Sequence, residues 1–199
     1  MKERPILFNA EMVRAILKGR KTVTRREVKR DWIQSAQAPL ETSPGAYHFW
    51  CSGERACPYG KPGDRLWVRE TFAALSAGEY EPVKPAQGYG QEIRFAATDP
   101  LADLCADTRG YTWRPSIHMP RWASRILLEI SEVRVERLCD ISEEQALAEG
   151  ATFDPDGCPW TENTTAYEGF RSIWFQISGL ENWRTNPWVW VVEFKRVEP

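Results

Sequence analysis

Ile6-Leu7-Phe8-Asn9-Ala10-Glu11-Met12-Val13-Arg14-Ala15-Ile16-Leu17-Lys18-Gly19-Arg20-Lys21-Thr22-Val23-Thr24-Arg25-Arg26 reads as a strand, a capped helix and a turn in close succession. Ile6-Leu7-Phe8 is a short apolar strand. Asn9 suits an N-cap, Glu11 suits the first turn, and Met12, Val13, Ile16 and Leu17 recur at helical spacing, so a helix is predicted over Ala10 to Lys18. Gly19 sits where a helix stops. The chain therefore delivers Lys21 to Arg26 just past a helix end, where a turn can bring the Lys21 and Thr24 side chains to one site.

Outward from this stretch, Pro62-Gly63-Asp64 marks a turn and Arg65 to Phe72 alternates as a strand, with Leu66, Val68 and Phe72 on one face. Glu70 falls on that apolar face, where an unpaired carboxylate is costly, so it is expected to meet a Lys or Arg of the site. From Ser124 to Leu138 a long strand or bent hairpin is predicted. Ile126, Leu128 and Ile130 alternate before Ser131, and Val133 and Val135 after it. Ser142-Glu143-Glu144-Gln145 is a capping box that opens a short helix ending at Gly150, and a second box at Thr165 to Glu168 opens a helix with Phe170, Ile173, Trp174 and Ile177 on one side. Trp188 to Lys195 reads as the closing strand. Residues 31–60 and 73–122 are rich in Pro, Ser and Gly breaks and read as irregular insertions, with a strand predicted at Glu92 to Ala97. Mixed elements with non-local pairing predict one α+β domain over residues 1–199, a small barrel with helices at its rim.

Composition narrows the function classes. The chain has 199 residues, 42% hydrophobic and 27% charged, with no apolar run long enough to cross a membrane and no apolar leader after Met1, so a cytoplasmic location is expected. Five cysteines, none in a Cys-x-x-Cys pair, and two histidines indicate neither a disulfide framework nor a metal cluster, so no metal and no cofactor are expected. P-loop, dinucleotide and Gly-x-Ser-x-Gly signatures are absent from the sequence. Net charge is -2, yet residues 1–30 hold ten Lys/Arg against three acids. Such local positive charge suits a small anionic ligand such as a nucleotide phosphate.

Candidate chemistry then reduces to a lysine, a threonine and a carboxylate. Arg20, Arg25 and Arg26 surround Lys21 with positive charge, which favours its neutral form and lets it act as a base on a hydroxyl such as that of Thr24. Glu149 lies in the last turn of the Ser142 helix, where the helix dipole disfavours an anion, and so asks for a cation such as Lys21. A basic turn that merely touches phosphate or solvent is the competing account of the same residues.

The segment Gly19 to Arg26 resembles the signature of the ASCH domains in the PUA-like superfamily: Gly-x-Lys, an acid or Thr three residues after the Lys, then Arg. The likeness extends to Pro62 to Val68, to Ile126 through Gly150 and to Val189 to Phe194. Cys57-Pro58-Tyr59-Gly60 and His118-Met119-Pro120-Arg121-Trp122 resemble the longer, phage-associated ASCH proteins. The resemblance implies a PUA-like β-barrel with flanking helices. Thr24, where many members carry Glu, is similar to the small ASCH amidohydrolases that remove the acyl group from N4-acetylcytidine, which implies a triad of Lys21, Thr24 and Glu149. On that reading Arg26 helps bind substrate or its oxyanion, and Trp67, Arg69 and Glu70 complete the pocket, Trp67 as a stacking partner for a base. The partner is a nucleoside or modified cytosine. A non-catalytic module that binds RNA or a modified nucleotide, and an ASCH ribonuclease, remain alternatives. This chain is about twice as long as the minimal enzymes, so its insertions are expected to reshape the pocket.

Overall fold

The computed structural model describes residues 1–33, 37–75, 82–85, 90–152 and 165–198. Parts of both sequence-defined insertions, 34–36, 76–81 and 86–89, lie outside them, as does Cys158. In chain order the elements are β1 (Glu3–Leu7), α1 (Ala10–Leu17), β2 (Val23–Glu27), β3 (Leu40–Ser43), β4 (Ala46–Phe49), β5 (Gly53–Ala56), β6 (Arg65–Arg69), β7 (Phe72–Leu75), β8 (Glu92–Phe95), α2 (Ala106–Arg109), β9 (Leu127–Arg137), α3 (Glu143–Ala148), α4 (Ala166–Ser178), α5 (Leu180–Arg184) and β10 (Trp188–Val197). The fold is mixed α+β. No described helix is long and apolar enough to cross a membrane.

The main sheet runs β1-β6-β9-β10-β2. β1 and β6 are parallel, and every other neighbouring pair is antiparallel. β10 has apolar neighbours on both faces. Trp190, Val192 and Phe194 join Ile6, Phe8, Val13 and Leu66 in one core, while Val189 and Val191 join Phe170, Trp174 and Trp183 in a second. That explains its unbroken run Trp188 to Val192, since a strand covered on both sides need not alternate. β9 is one eleven-residue strand, and its register against β10 shifts where Glu193 faces Glu132 and Phe194 faces Ile130. Ser131 is the extra residue of this β-bulge, which is why the apolar alternation changes phase there.

The structure corrects several sequence expectations. The predicted closed barrel is not seen among the described residues, where the five-stranded sheet ends at β1 and β2 without a strand pair joining them. A side chain spans that gap instead, Arg26 donating to the Leu7 carbonyl at 2.7 Å. The single strand expected from Arg65 to Phe72 breaks after Arg69. Beyond it Phe72 exchanges backbone bonds with Arg114 and β7 pairs with β8, forming a separate two-stranded sheet. Residues 31–60, read as irregular, hold the three-stranded sheet β3-β4-β5. Tyr47 and Phe49 of β4 pack edge-on against Trp190, so these short strands are held by burial of aromatic rings rather than by local propensity.

The helices obey their caps. Asn9 accepts from the Met12 amide, both capping boxes are closed, and Gly19 and Gly150 follow α1 and α3 with φ of +72° and +84°. α4 lies so close to the chain leaving α3 that a Cβ on Gly169 would stand 2.5 Å from the Thr152 carbonyl oxygen. Alanine gains ~0.8–1.0 kcal/mol of helix propensity there, but overpacking against backbone costs ~1–3 kcal/mol. Gly169→Ala is therefore expected to lower stability, read as a fall in the urea midpoint; an unchanged or raised midpoint would show that α4 can slide away.

Candidate active site

The turn after α1 is fixed by the backbone before any side chain acts. The amides of Arg20 and Lys21 both donate to the Ala15 carbonyl, and the Thr22 amide donates to Ala148 O at 2.8 Å. The first bonds fold the chain back on α1, and the last ties it to the end of α3. Lys21 is thereby aimed at Glu149, the C-cap residue of α3.

The Lys21 side chain has no exposed surface, and its Nζ lies 2.7 Å from Glu149 Oε2. Nζ also donates to the Glu149 carbonyl at 2.8 Å and to the Val23 carbonyl at 2.9 Å. One of those acceptors is an orphan carbonyl of the helix end, a group that basic side chains often satisfy. The ring of Phe8 covers the ammonium at 5.6 Å. Burial holds the Lys21 pKa below the ordinary 10.5, opposed by the Glu149 carboxylate and assisted by the charges of Arg26 and Arg25. From the sequence, the neighbouring arginines are the expected cause of this direction. The structure makes desolvation the larger cause.

Glu149 has a second cation, since Arg25 reaches its Oε1 at 3.3 Å while also bonding Gln145 at 2.9 Å and Glu136 at 3.2 Å. In the sequence Arg25 stands out only as nearby positive charge. Its alternation with Thr24 and Arg26 along β2 places it on the opposite sheet face, over the Phe170 ring, where it holds the carboxylate from the other side.

Thr24 is buried on the same face of β2 as Arg26, opposite Val192 and Trp190 of β10. It lines a cavity of about 100 Å³ together with Met12, Arg26, Glu149, Phe170 and Trp174. Among the described residues the Thr24 hydroxyl makes no hydrogen bond, to Lys21 or otherwise. Arg26 stacks on Phe8 at 5.3 Å, and its Nε–H is buried without a partner among the described residues. Such a donor costs free energy until something accepts from it.

The same cavity follows the open edge of β2. Phe194 N donates to Thr22 O and Val28 N to Trp188 O, so the even-numbered residues of β2 face β10 and Val23, Arg25 and Glu27 present their backbone groups outward. Lys21 takes the outward Val23 carbonyl. Among the described residues the Arg25 amide and carbonyl make no hydrogen bond, although Arg25 as a whole is buried.

Three of the residues expected to bind substrate lie elsewhere. Glu70 is buried, but its partner is Arg125, bound through both carboxylate oxygens at 2.9 Å, rather than a basic residue of the Lys21 site. Trp67 is half-buried under the Arg69 guanidinium at 5.2 Å. Arg69 itself donates to the Met119 and Ile117 carbonyls, ordering the segment that contains His118. None of the three lines the cavity at Thr24, because β6 stands one strand in from β1, while the cavity opens along β2 at the other edge of the sheet. Among the described residues no cluster of His, Cys, Asp or Glu could hold a metal ion. Compared with protein-family models, with curated proteins and with solved structures, the chain gives no match.

Proposed function

We propose that this chain is an ASCH-type, PUA-like amidohydrolase that removes the acyl group from N4-acylated cytosine nucleosides with its own side chains. The observation that carries the reading is a buried lysine of lowered pKa, paired with a helix-end carboxylate, beside a cavity that holds an unbonded threonine hydroxyl. In the reaction Lys21, in its neutral form, turns from Val23 towards Thr24 and takes the hydroxyl proton. Thr24 Oγ1 bonds to the acyl carbon, and the orphan Nε–H of Arg26 meets the developing oxyanion. The C–N4 bond then breaks, and the Lys21 ammonium returns the proton to N4 to release the amine. A water molecule, deprotonated by Lys21, cleaves the Thr24 ester, and Oγ1 regains its proton as the carboxylic acid leaves. Glu149 keeps Nζ in place and balances its charge. The outward Arg25 backbone offers hydrogen bonds to the base edge, and Phe170 and Trp174 offer apolar walls.

One observation favours a rival. All three protons of a charged Lys21 already have acceptors, which suits a purely structural ion pair inside a non-catalytic module that binds modified cytosine. Incubation with N4-acetylcytidine followed by chromatography separates the two. Cytidine released in proportion to enzyme supports the hydrolase, whereas saturable binding without release supports the module.

Proton uptake by Lys21 also sets a pH dependence. Its folded pKa is lowered, so the neutral base gains population as pH rises through a value below 10.5. Log kcat/KM is expected to climb with pH and to level off once pH exceeds that lowered pKa. A profile that is flat over the whole pH range in which the protein stays folded, with chemistry shown to limit the rate, would remove Lys21 as the base.

A further inference from the structure

The carboxylate that closes the Thr24 cavity on one side also borders a larger cavity of about 350 Å³, and the two share Met12, Glu149 and Ile173. Arg14 of α1, Lys18 at its C-cap and Arg20 of the following turn line this outer space, with Asn9 at its edge. Residues 11, 14 and 18 fall on one helical face, and the stop at Gly19 swings Arg20 to join it. Lys18 and Arg20 are exposed and form no ion pair among the described residues, while Arg14 makes one long bond of 3.4 Å to the Ala97 carbonyl. Two carboxylates line the cavity. Glu149 is engaged by Lys21 and Arg25, which leaves Glu11 against three cations. Long basic side chains on an exposed helix usually point to solvent and do nothing more. Here the three converge on one concave space in a chain whose net charge is -2, and that space opens beside the buried triad.

We infer that the outer cavity is a phosphate subsite, so that the substrate class of the proposed hydrolase is a pyrimidine nucleoside monophosphate rather than a bare nucleoside. The inference rests on the preceding reading only for where the base lies. A monoester phosphate presents several strong acceptors, which Arg14 and Arg20 can grip in forked pairs and Lys18 as a point charge. With the base against the Arg25 edge and Thr24, the ribose passes Glu149 and Met12 and the phosphate reaches the cations.

The test is calorimetric titration of the full chain with cytidine, with cytidine 5′-monophosphate and with inorganic phosphate, in the wild type and in Lys18→Ala/Arg20→Ala. Both substituted residues are exposed, so the variant is expected to fold, checked by its circular dichroism and melting midpoint. The monophosphate is expected to bind at least about tenfold more tightly than cytidine, as a charge-assisted contact provides. That preference should shrink severalfold or more in the double variant and weaken with salt. Equal affinities for the two ligands, or a preference that the double variant keeps, would overturn the subsite while leaving a cytidine pocket standing. Inorganic phosphate binding that the double variant loses, with no cytidine binding at all, would keep the subsite and sink the proposed substrate instead. A short oligocytidylate that binds far more tightly than the monophosphate would show the cations tracking a strand, and would also overturn the assignment.

Discussion

Thr24→Ala is expected to remove nearly all hydrolysis of N4-acetylcytidine, on the order of 10⁴-fold or more, while leaving a folded protein. Loss of a nucleophile removes the covalent route, so the effect falls on kcat rather than on binding. The fold should tolerate the change, because the hydroxyl makes no hydrogen bond among the described residues and its deletion strands no partner. Lys21→Met keeps most of the buried volume and deletes the base, and it should cost about as much. The double variant should be little worse than either single one, since two groups that serve one step are not additive. Thr24→Ser retains the oxygen and should retain measurable turnover. Glu149→Gln should lose less activity than the other two, because Arg25 and the Glu149 carbonyl still hold the lysine region together. The decisive measurement is turnover of purified, folded Thr24→Ala. Wild-type rates would remove the nucleophile and with it the mechanism. A uniform ~0.5–1.5 kcal/mol loss of ligand affinity, with no turnover in either protein, would identify a binding module in which Thr24 only donates a hydrogen bond.

Local rules make several of these positions legible in the sequence. Asn9, Gly19, Ser142 and Thr165 act within a few residues of themselves, and each does what its side chain or backbone freedom dictates. Two charge arguments also worked at a distance, because a carboxylate on an apolar strand face or at a helix C-terminus cannot stay alone. Glu149 has Lys21 and Arg25, and Glu70 has Arg125. Which cation each would meet was another matter. Arg125 precedes β9 and reaches Glu70 only because β6 and β9 are neighbours, which is a fact of topology with no local signal. The same blindness misplaced Trp67 and Arg69. Alternation sets their strand face apart from Leu66 and Val68, yet nothing in it says what covers that face. The β3-β4-β5 sheet was missed because its strands are four residues each and are stabilised by Tyr47 and Phe49 meeting Trp190, far away in sequence. The phase change at Ser131 did carry the bulge, although as a sequence pattern it fitted a bent hairpin equally well. Arg25 could have been singled out by period-two alternation, which sets it apart from Thr24 and Arg26. Its partner Glu149 becomes visible only once α3 is docked on β2.

The Glu70–Arg125 pair makes a prediction about stability in which the two halves are unequal. Glu70 is 2% exposed and Arg125 30% exposed at the side chain, and the guanidinium also lies 4.0 Å over the Phe95 ring. Arg125→Ala strips a buried carboxylate of both its hydrogen bonds and of its counter-charge, a loss of about 3–5 kcal/mol for a broken buried pair. Glu70→Ala leaves behind a guanidinium that already touches solvent and keeps its aromatic contact, so its cost should be clearly smaller. Glu70→Ala combined with Arg125→Ala should be less damaging than Arg125→Ala alone, because Glu70→Ala removes the carboxylate that Arg125→Ala orphans. Urea midpoints of the three variants read this order directly. Equal losses for the two single variants would show that Arg125 is as dry as Glu70 in solution, and no loss for Arg125→Ala would show that the carboxylate finds water. Turnover per folded molecule is expected to be unchanged in Glu70→Ala, since Glu70 lines neither the Thr24 cavity nor the basic cavity beside it. A large fall in kcat at unchanged stability would return Glu70 to the substrate pocket where its sequence position first suggested it belonged.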